Sequence, residues 1–277
     1  MSFIPLCFAT PNPLLISSFK IGILRFGKSP LCKASLQAMT MFGTPSVTFR
    51  LSFTLIPVLV LALSGCASQS KTAEGIRYYG QAKYDVAMLA FQEALKAKPN
   101  DFDTEYNIAA TYHQSGRVSL QSGQAAAAQQ QYDQALQYYR LCLAKKPNHT
   151  DAHRGLAALY LDCKNPQEAF QVMTDWVKAD PVSAEPKIEL ARLYQEYSQI
   201  CQVQGRTSDA SDLRAAAEKT LQDVLAAEPA NYRALRALGY LKEQSGDRSG
   251  AAACYQRSLQ ANPAQKDLEV RIAALSL

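Results

Sequence analysis

The chain has 277 residues, 48% of them hydrophobic, with 29 Lys and Arg against 24 Asp and Glu, a formal net charge of +5. Residues 1–65 hold no acid and five bases (Lys20, Arg25, Lys28, Lys33 and Arg50), so the 212 residues after them balance at 24 bases and 24 acids. A neutral body of this kind lacks the basic stripe of a nucleic-acid binder and offers no polybasic handle for anionic lipid.

Residues 1–40 show no periodicity and read as lying upstream of the real start, with Met39 or Met41 rather than Met1 opening a signal of ordinary length. Arg50 then precedes the apolar run LSFTLIPVLVLA at 51–62, which is short for a permanent bilayer span and has the layout of a secretory signal. Leu63-Ser64-Gly65-Cys66 follows, and it resembles the lipobox of bacterial lipoproteins. That resemblance implies removal of 1–65, lipidation of Cys66 as the first mature residue, and a tether over 66–71. Ala67 is not the aspartate that favours inner-membrane retention, so the resemblance points to the outer membrane, facing the periplasm.

Beyond the tether the sequence is periodic. Pro99, Pro147, Pro181, Pro229 and Pro263 stand 48, 34, 48 and 34 residues apart. Twelve residues before each proline is an alanine: Ala87, Ala135, Ala169, Ala217 and Ala251. Eight before it is a large residue: Phe91, Tyr139, Met173, Leu221 and Tyr255. A matching small column, Gly75, Ala109, Ala157, Ala191 and Gly239, falls in the preceding segment, with Tyr78, Tyr112, Tyr160 and Tyr194 one helical turn later. Small residues at fixed spacing let paired helices approach closely, and large ones fill the gap to the next helix.

A 34-residue period of paired helices on these columns resembles the tetratricopeptide repeat (TPR) family from about Ser68 to Lys266. The resemblance implies an all-α, right-handed solenoid of five helix-turn-helix repeats over 68–101, 102–149, 150–183, 184–231 and 232–265. It also implies a capping helix over 266–277. The two 48-residue repeats are 34 plus 14. Gly246 marks the turn of repeat five; Gly116 and Ser198 hold the same place in repeats two and four, and Gly123 and Gly205 stand seven residues beyond them. A turn displaced by seven lengthens both helices of the hairpin by about two turns. This predicts long hairpins in repeats two and four, with Gly116 inside a helix at a cost of about 1 kcal/mol.

In TPR proteins the first helix of each hairpin lines the binding groove. The matching positions are Tyr106, Ala110 and His113; Arg154, Ala158 and Leu161; Ile188, Arg192 and Gln195; and Arg233, Arg236, Tyr240 and Glu243. Arginines with tyrosines suit a protein or peptide partner, with Arg154, Arg192 and Arg236 favouring an acidic one. The chaperone-type carboxylate clamp is not matched, since Thr72 and Ile76 occupy its places. No nucleophile elbow, zinc-protease motif or phosphate loop is present. His149 and His153 are four apart but straddle a turn, so no metal, cofactor or small-molecule substrate is expected. Cys142, Cys163, Cys201 and Cys254 show no paired spacing, and the sequence assigns no disulfide. The resemblances together imply a non-enzymatic, lipid-anchored adaptor of the bacterial envelope, pilotin-like or an outer-membrane or cell-wall assembly factor. The alternative is an envelope enzyme or metal-dependent factor on a TPR scaffold.

Overall fold

The computed structural model describes residues 71–275, all helix and turn with no strand among them. The signal segment, Cys66 and residues 67–70 of its tether lie outside the described residues. Helices α1 (71–80), α2 (Tyr84–Ala97), α3 (Phe102–Gln121), α4 (Ala125–Lys145), α5 (Thr150–Asp162) and α6 (Pro166–Ala179) are followed by α7 (Ala184–Val203), α8 (Thr207–Ala227), α9 (Tyr232–Gln244), α10 (Arg248–Ala261) and α11 (Lys266–Leu275). The chain divides into two compact units between Tyr138 and Tyr139.

Each odd-numbered helix up to α9 pairs with the helix after it through a turn of one design. A single residue there takes a left-handed conformation: Ala82 (φ 57°), Gly123 (75°), Lys164 (56°), Gly205 (75°) and Gly246 (85°). The next residue's N–H closes back on a carbonyl five residues earlier, at 2.8–3.0 Å, as in Gln124 N to Ser119 O and Asp247 N to Lys242 O. This is the Schellman closure, which satisfies carbonyls that the helix end leaves open. Although the prolines alternate in spacing, these residues recur every 41 positions. The prolines sit in the other class of turn, between hairpins, where Asp101 N, His149 N and Asn231 N each bond back three residues across Pro99, Pro147 and Pro229. A proline there interrupts no helical hydrogen bond.

The repeat columns are the core. Ala87, Ala135, Ala169, Ala217 and Ala251 are fully buried, and Phe91, Tyr139, Met173, Leu221 and Tyr255 are buried with them. The fit of large on small is tight enough to exclude a methyl group. A Cβ on Gly75 would lie 2.5 Å from the Phe91 ring, and one on Gly239 2.6 Å from Tyr255.

Repeats two and four are lengthened as the glycine displacement predicts. Helices α3 and α7 have 20 residues against 13 for α5 and α9, and α4 and α8 have 21 against 14 for α6 and α10. The extra turns carry a core of their own, repeated at a seven-residue step. Ala128 and Ala210 are buried one heptad before Ala135 and Ala217, and Ser198 and Cys201 are buried in α7. Gly116 has a use beyond its propensity: a Cβ there would meet the Tyr132 ring at 2.5 Å. That contact offsets the cost of glycine inside a helix. At the C-terminus α11 covers the last hairpin, burying Leu268 against Ala251 and Tyr255 as a capping helix should.

Candidate binding surface

In the C-terminal unit α5, α7 and α9 are the first helices of successive hairpins, α7 touching both of the others, and α11 follows the last hairpin. Well-formed caps fix the register of α7 and α9. The Ser183 hydroxyl accepts from Glu185 N, and the Asn231 side chain accepts from Arg233 N and Ala234 N. The first residues of α7 and α9 are therefore held where Glu185 and Arg233 can meet.

At the centre of the shared face lies Glu189 on α7, its side chain wholly buried. Arg154 of α5 grips it with two parallel bonds, Nε to Oε2 at 3.0 Å and Nη2 to Oε1 at 2.8 Å. Arg233 of α9 reaches Oε1 at 2.9 Å, and Arg192 of α7 itself approaches Oε2 through Nε at 3.3 Å. The paired fork of an arginine on a carboxylate is the strong form of the ion pair. Two of these arginines hold a second acid: Arg154 bonds Asp151 at 2.9 Å, and Arg233 pairs with Glu185. Three cations are thus matched by three carboxylates.

The lacing continues toward the cap. Arg236 pairs with Asp267 of α11 at 2.6 Å, and Arg271 of α11 returns to Glu243 of α9 at 2.6 Å. Burial would raise the Glu243 carboxyl, but Arg271 and the Tyr255 hydroxyl outweigh it and hold it below its ordinary value. Burial first, and then the Glu243 hydrogen bond, push the Tyr255 phenol well above its ordinary value. Arg271 also lies over the Tyr240 ring at 5.2 Å.

These positions correct the sequence reading in two respects. Tyr106 and His113, expected on an outward face, are both buried in the N-terminal unit, where His113 meets Tyr132 edge-on at 5.9 Å. Of the arginines expected to attract an acidic segment, Arg154 and Arg236, like Arg233, are already neutralised by carboxylates of this chain. Leu161 and Tyr240 are half-buried, Leu161 against the cluster of Ala157, Met173 and Trp176. Glu185, Glu189 and Asp267 are the residues that sequence reasoning missed. One signal was present: Glu185 and Arg233 stand one 48-residue repeat apart with opposite charge.

The histidine pair has structural work. His149 Nδ1 accepts from Ala152 N at 3.1 Å and caps α5, while His153 stacks face to face on Trp176 at 4.1 Å with Nε2 on the Pro147 carbonyl at 2.7 Å. Among the described residues no group of three His, Cys, Asp or Glu side chains could hold a metal ion. Burial pushes the His153 imidazole down from its ordinary 6.5, the Pro147 carbonyl opposes this, and His149 adds to it. The unfolded chain therefore takes up this proton first as pH falls. The stability contributed by neutral His153 is complete above about pH 6.5 and is lost on acidification below it. His153→Phe, which keeps a ring on Trp176, should shrink the fall in urea midpoint between pH 7 and pH 5; an unchanged fall would exclude His153 as its source.

The hairpin geometry, the left-handed turns and the small-on-large columns have a match among known families. Residues 126–193 and residues 205–266 each match a tetratricopeptide repeat model. The chain is a TPR protein. Among solved structures it is similar to TTC0263, a thermophilic TPR protein of Thermus thermophilus, at 24% identity over 76% of this chain and 98% of that one, with a TM-score of 0.48. It is similar also to YrrB, a TPR protein with an unusual peptide-binding site, at 11% identity over 74% and 90%, TM-score 0.37. A third likeness is to the human IFIT1 dimer with PPP-AAAA, at 16% identity over 70% of this TPR chain and 48% of that chain, TM-score 0.46. At these identities the likeness is one of fold alone. No curated protein matches the sequence.

Proposed function

We propose that this TPR protein is a non-enzymatic adaptor, anchored to the bacterial outer membrane through an acylated Cys66 and holding a protein partner against its first-helix face. The observation that carries the reading is the combination of a TPR array with the Leu63-Ser64-Gly65-Cys66 lipobox immediately ahead of it. The balanced charge after residue 65 supports a protein rather than a nucleic-acid partner. Anchoring rests on the lipid of Cys66 in this reading; among the described residues no helix is long and apolar enough to cross a membrane. A pilotin-like role, or one in outer-membrane or cell-wall assembly, fits a scaffold that keeps a partner close to the bilayer.

The test is attachment. Wild type expressed in a bacterial host should incorporate labelled palmitate and fractionate with membranes. Cys66→Ser should lose the label and move to the soluble fraction, since stable anchoring takes more than one hydrophobic signal. A start at Met41 should change neither result. Undiminished labelling of Cys66→Ser would remove the lipoprotein half of the reading and leave the adaptor half standing.

A further inference from the structure

We infer that Arg192 is the docking point for a single carboxylate of the partner, which deepens the adaptor reading and rests on it. The Glu189 carboxylate accepts two bonds at Oε1, from Arg154 and Arg233, and one at Oε2, from Arg154, while Arg192 Nε lies 3.3 Å from Oε2 in an ion pair alone. Its charge is therefore already shared among three guanidinium groups. Arg154 and Arg233 each have a further acid of this chain, whereas Arg192 has only the long Nε contact. Its side chain is 53% exposed, and its two terminal amino groups hold no ion pair among the described residues.

Three properties make this arginine a receptor rather than a surface charge. Its Nε lies 3.3 Å from a buried carboxylate, and that ion pair favours one placement of the guanidinium before a ligand arrives, which lowers the entropy cost of binding. It lies one turn from Glu189, on the stripe of α7 that runs between α5 and α9. One further turn along that stripe, Gln195 Nε2 is a buried donor with no hydrogen-bond partner. An unmet buried donor is costly, and a carboxylate seated on Arg192 comes within a turn of it. The surroundings choose the ligand. Asp151 lies on α5, Glu185 on α7 itself and Asp267 on α11, where it pairs with Arg236 of α9. Each of these acids is already paired to an arginine, so the face offers one open cation and no run of them, and the fitting ligand is one Asp, Glu or C-terminal carboxylate in an otherwise neutral peptide.

The test uses the full chain and a panel of fluorescent ten-residue peptides. Each sequence is made in carboxylate form and in a matched form with Asn, Gln or a C-terminal amide, and binding is read by anisotropy. The carboxylate forms should bind more tightly. Arg192→Gln should weaken them about tenfold to a hundredfold, Arg192→Lys should recover part of the loss, and Lys219→Gln should match wild type. Helical content by circular dichroism should be equal in all four proteins. Equal binding of matched forms, or an Arg192→Gln protein equal to wild type, overturns the assignment while leaving peptide binding intact. No binding by any peptide removes the adaptor reading as well. Tighter binding of a fluorescent oligo(A) than of any peptide, lost in Arg192→Gln, would reassign the residue to nucleic acid.

Discussion

Glu189→Ala should destabilise the protein by about 3 kcal/mol, seen as a lower urea midpoint with the helical signal retained in water. Removing one member of a buried ion pair leaves uncompensated charge, a cost of about 3–5 kcal/mol. The lower end applies here because the arginine side chains around Glu189 are 17%, 32% and 53% exposed, so two of them can turn toward water. Arg154 is the one that cannot, and it carries the fork. A Glu189→Leu, Arg154→Met double variant should therefore recover most of the loss, since replacing a buried pair with apolar side chains of similar volume is often neutral or stabilising. Lys71→Ala, which removes a surface pair to Glu93, should shift the midpoint far less. A Glu189→Ala midpoint within error of wild type would mean that the carboxylate is not the hub of the three hairpins.

The same cluster shows what the sequence does and does not make legible. The fold is legible because every TPR hairpin repeats the same physical demand, a small residue where two helices touch and a large one where they part. Five alanines in the Ala87 column and five large residues in the Phe91 column, all in register, leave little freedom. The lengthened hairpins are legible for a related reason: seven residues are close to two whole turns, so Ala128 and Ala210 return to the face that Ala135 and Ala217 occupy. The left-handed residues at Ala82 and Lys164 are not betrayed by type, since neither is glycine, although the 41-residue step from Gly123, Gly205 and Gly246 leads to both.

Groove electrostatics are harder to read. Arg154, Arg233 and Arg236 are visible as residue types, but what each one does depends on partners 35, 44 and 31 residues away. Those separations match no repeat period, because the pairs join different columns, although the second acid of Arg233, Glu185, does stand 48 residues away. A cation on an outward position of a TPR helix therefore says little about ligand charge until the next helix has been checked for an acid. Tyr106 and His113 show the parallel error for burial, where a position assigned outward by pattern is enclosed in the folded unit. What survives is narrower than the sequence suggests: a neutral face laced by its own ion pairs, with Arg192 as the arginine still open to a partner.

Trp176 separates the two kinds of knowledge. By column it is replaceable, since the same position holds Ala94, Cys142, Val224 and Ser258 in the other repeats, and Trp176→Ala would restore the residue of repeat one. The structure requires the opposite result. Trp176 is 3% exposed and packs with Ala157, Met173, Leu190 and Leu193, so its neighbours are built around the indole. Its face is covered by His153 at 4.1 Å, and its Nε1 donates to Asn148 Oδ1 at 3.3 Å in the turn before α5. Truncation leaves a cavity, exposes a stacked ring and breaks the tie between α6 and that turn. A loss of about 3–5 kcal/mol is expected, against less than about 1 kcal/mol for Val182→Ala, whose side chain lies at the surface. Because His153 loses its cover, the acid sensitivity assigned to it should weaken in the same variant. Urea unfolding at pH 7 and pH 5 measures both effects together. A Trp176→Ala protein as stable as wild type would show that the column, and not the local packing, governs this position.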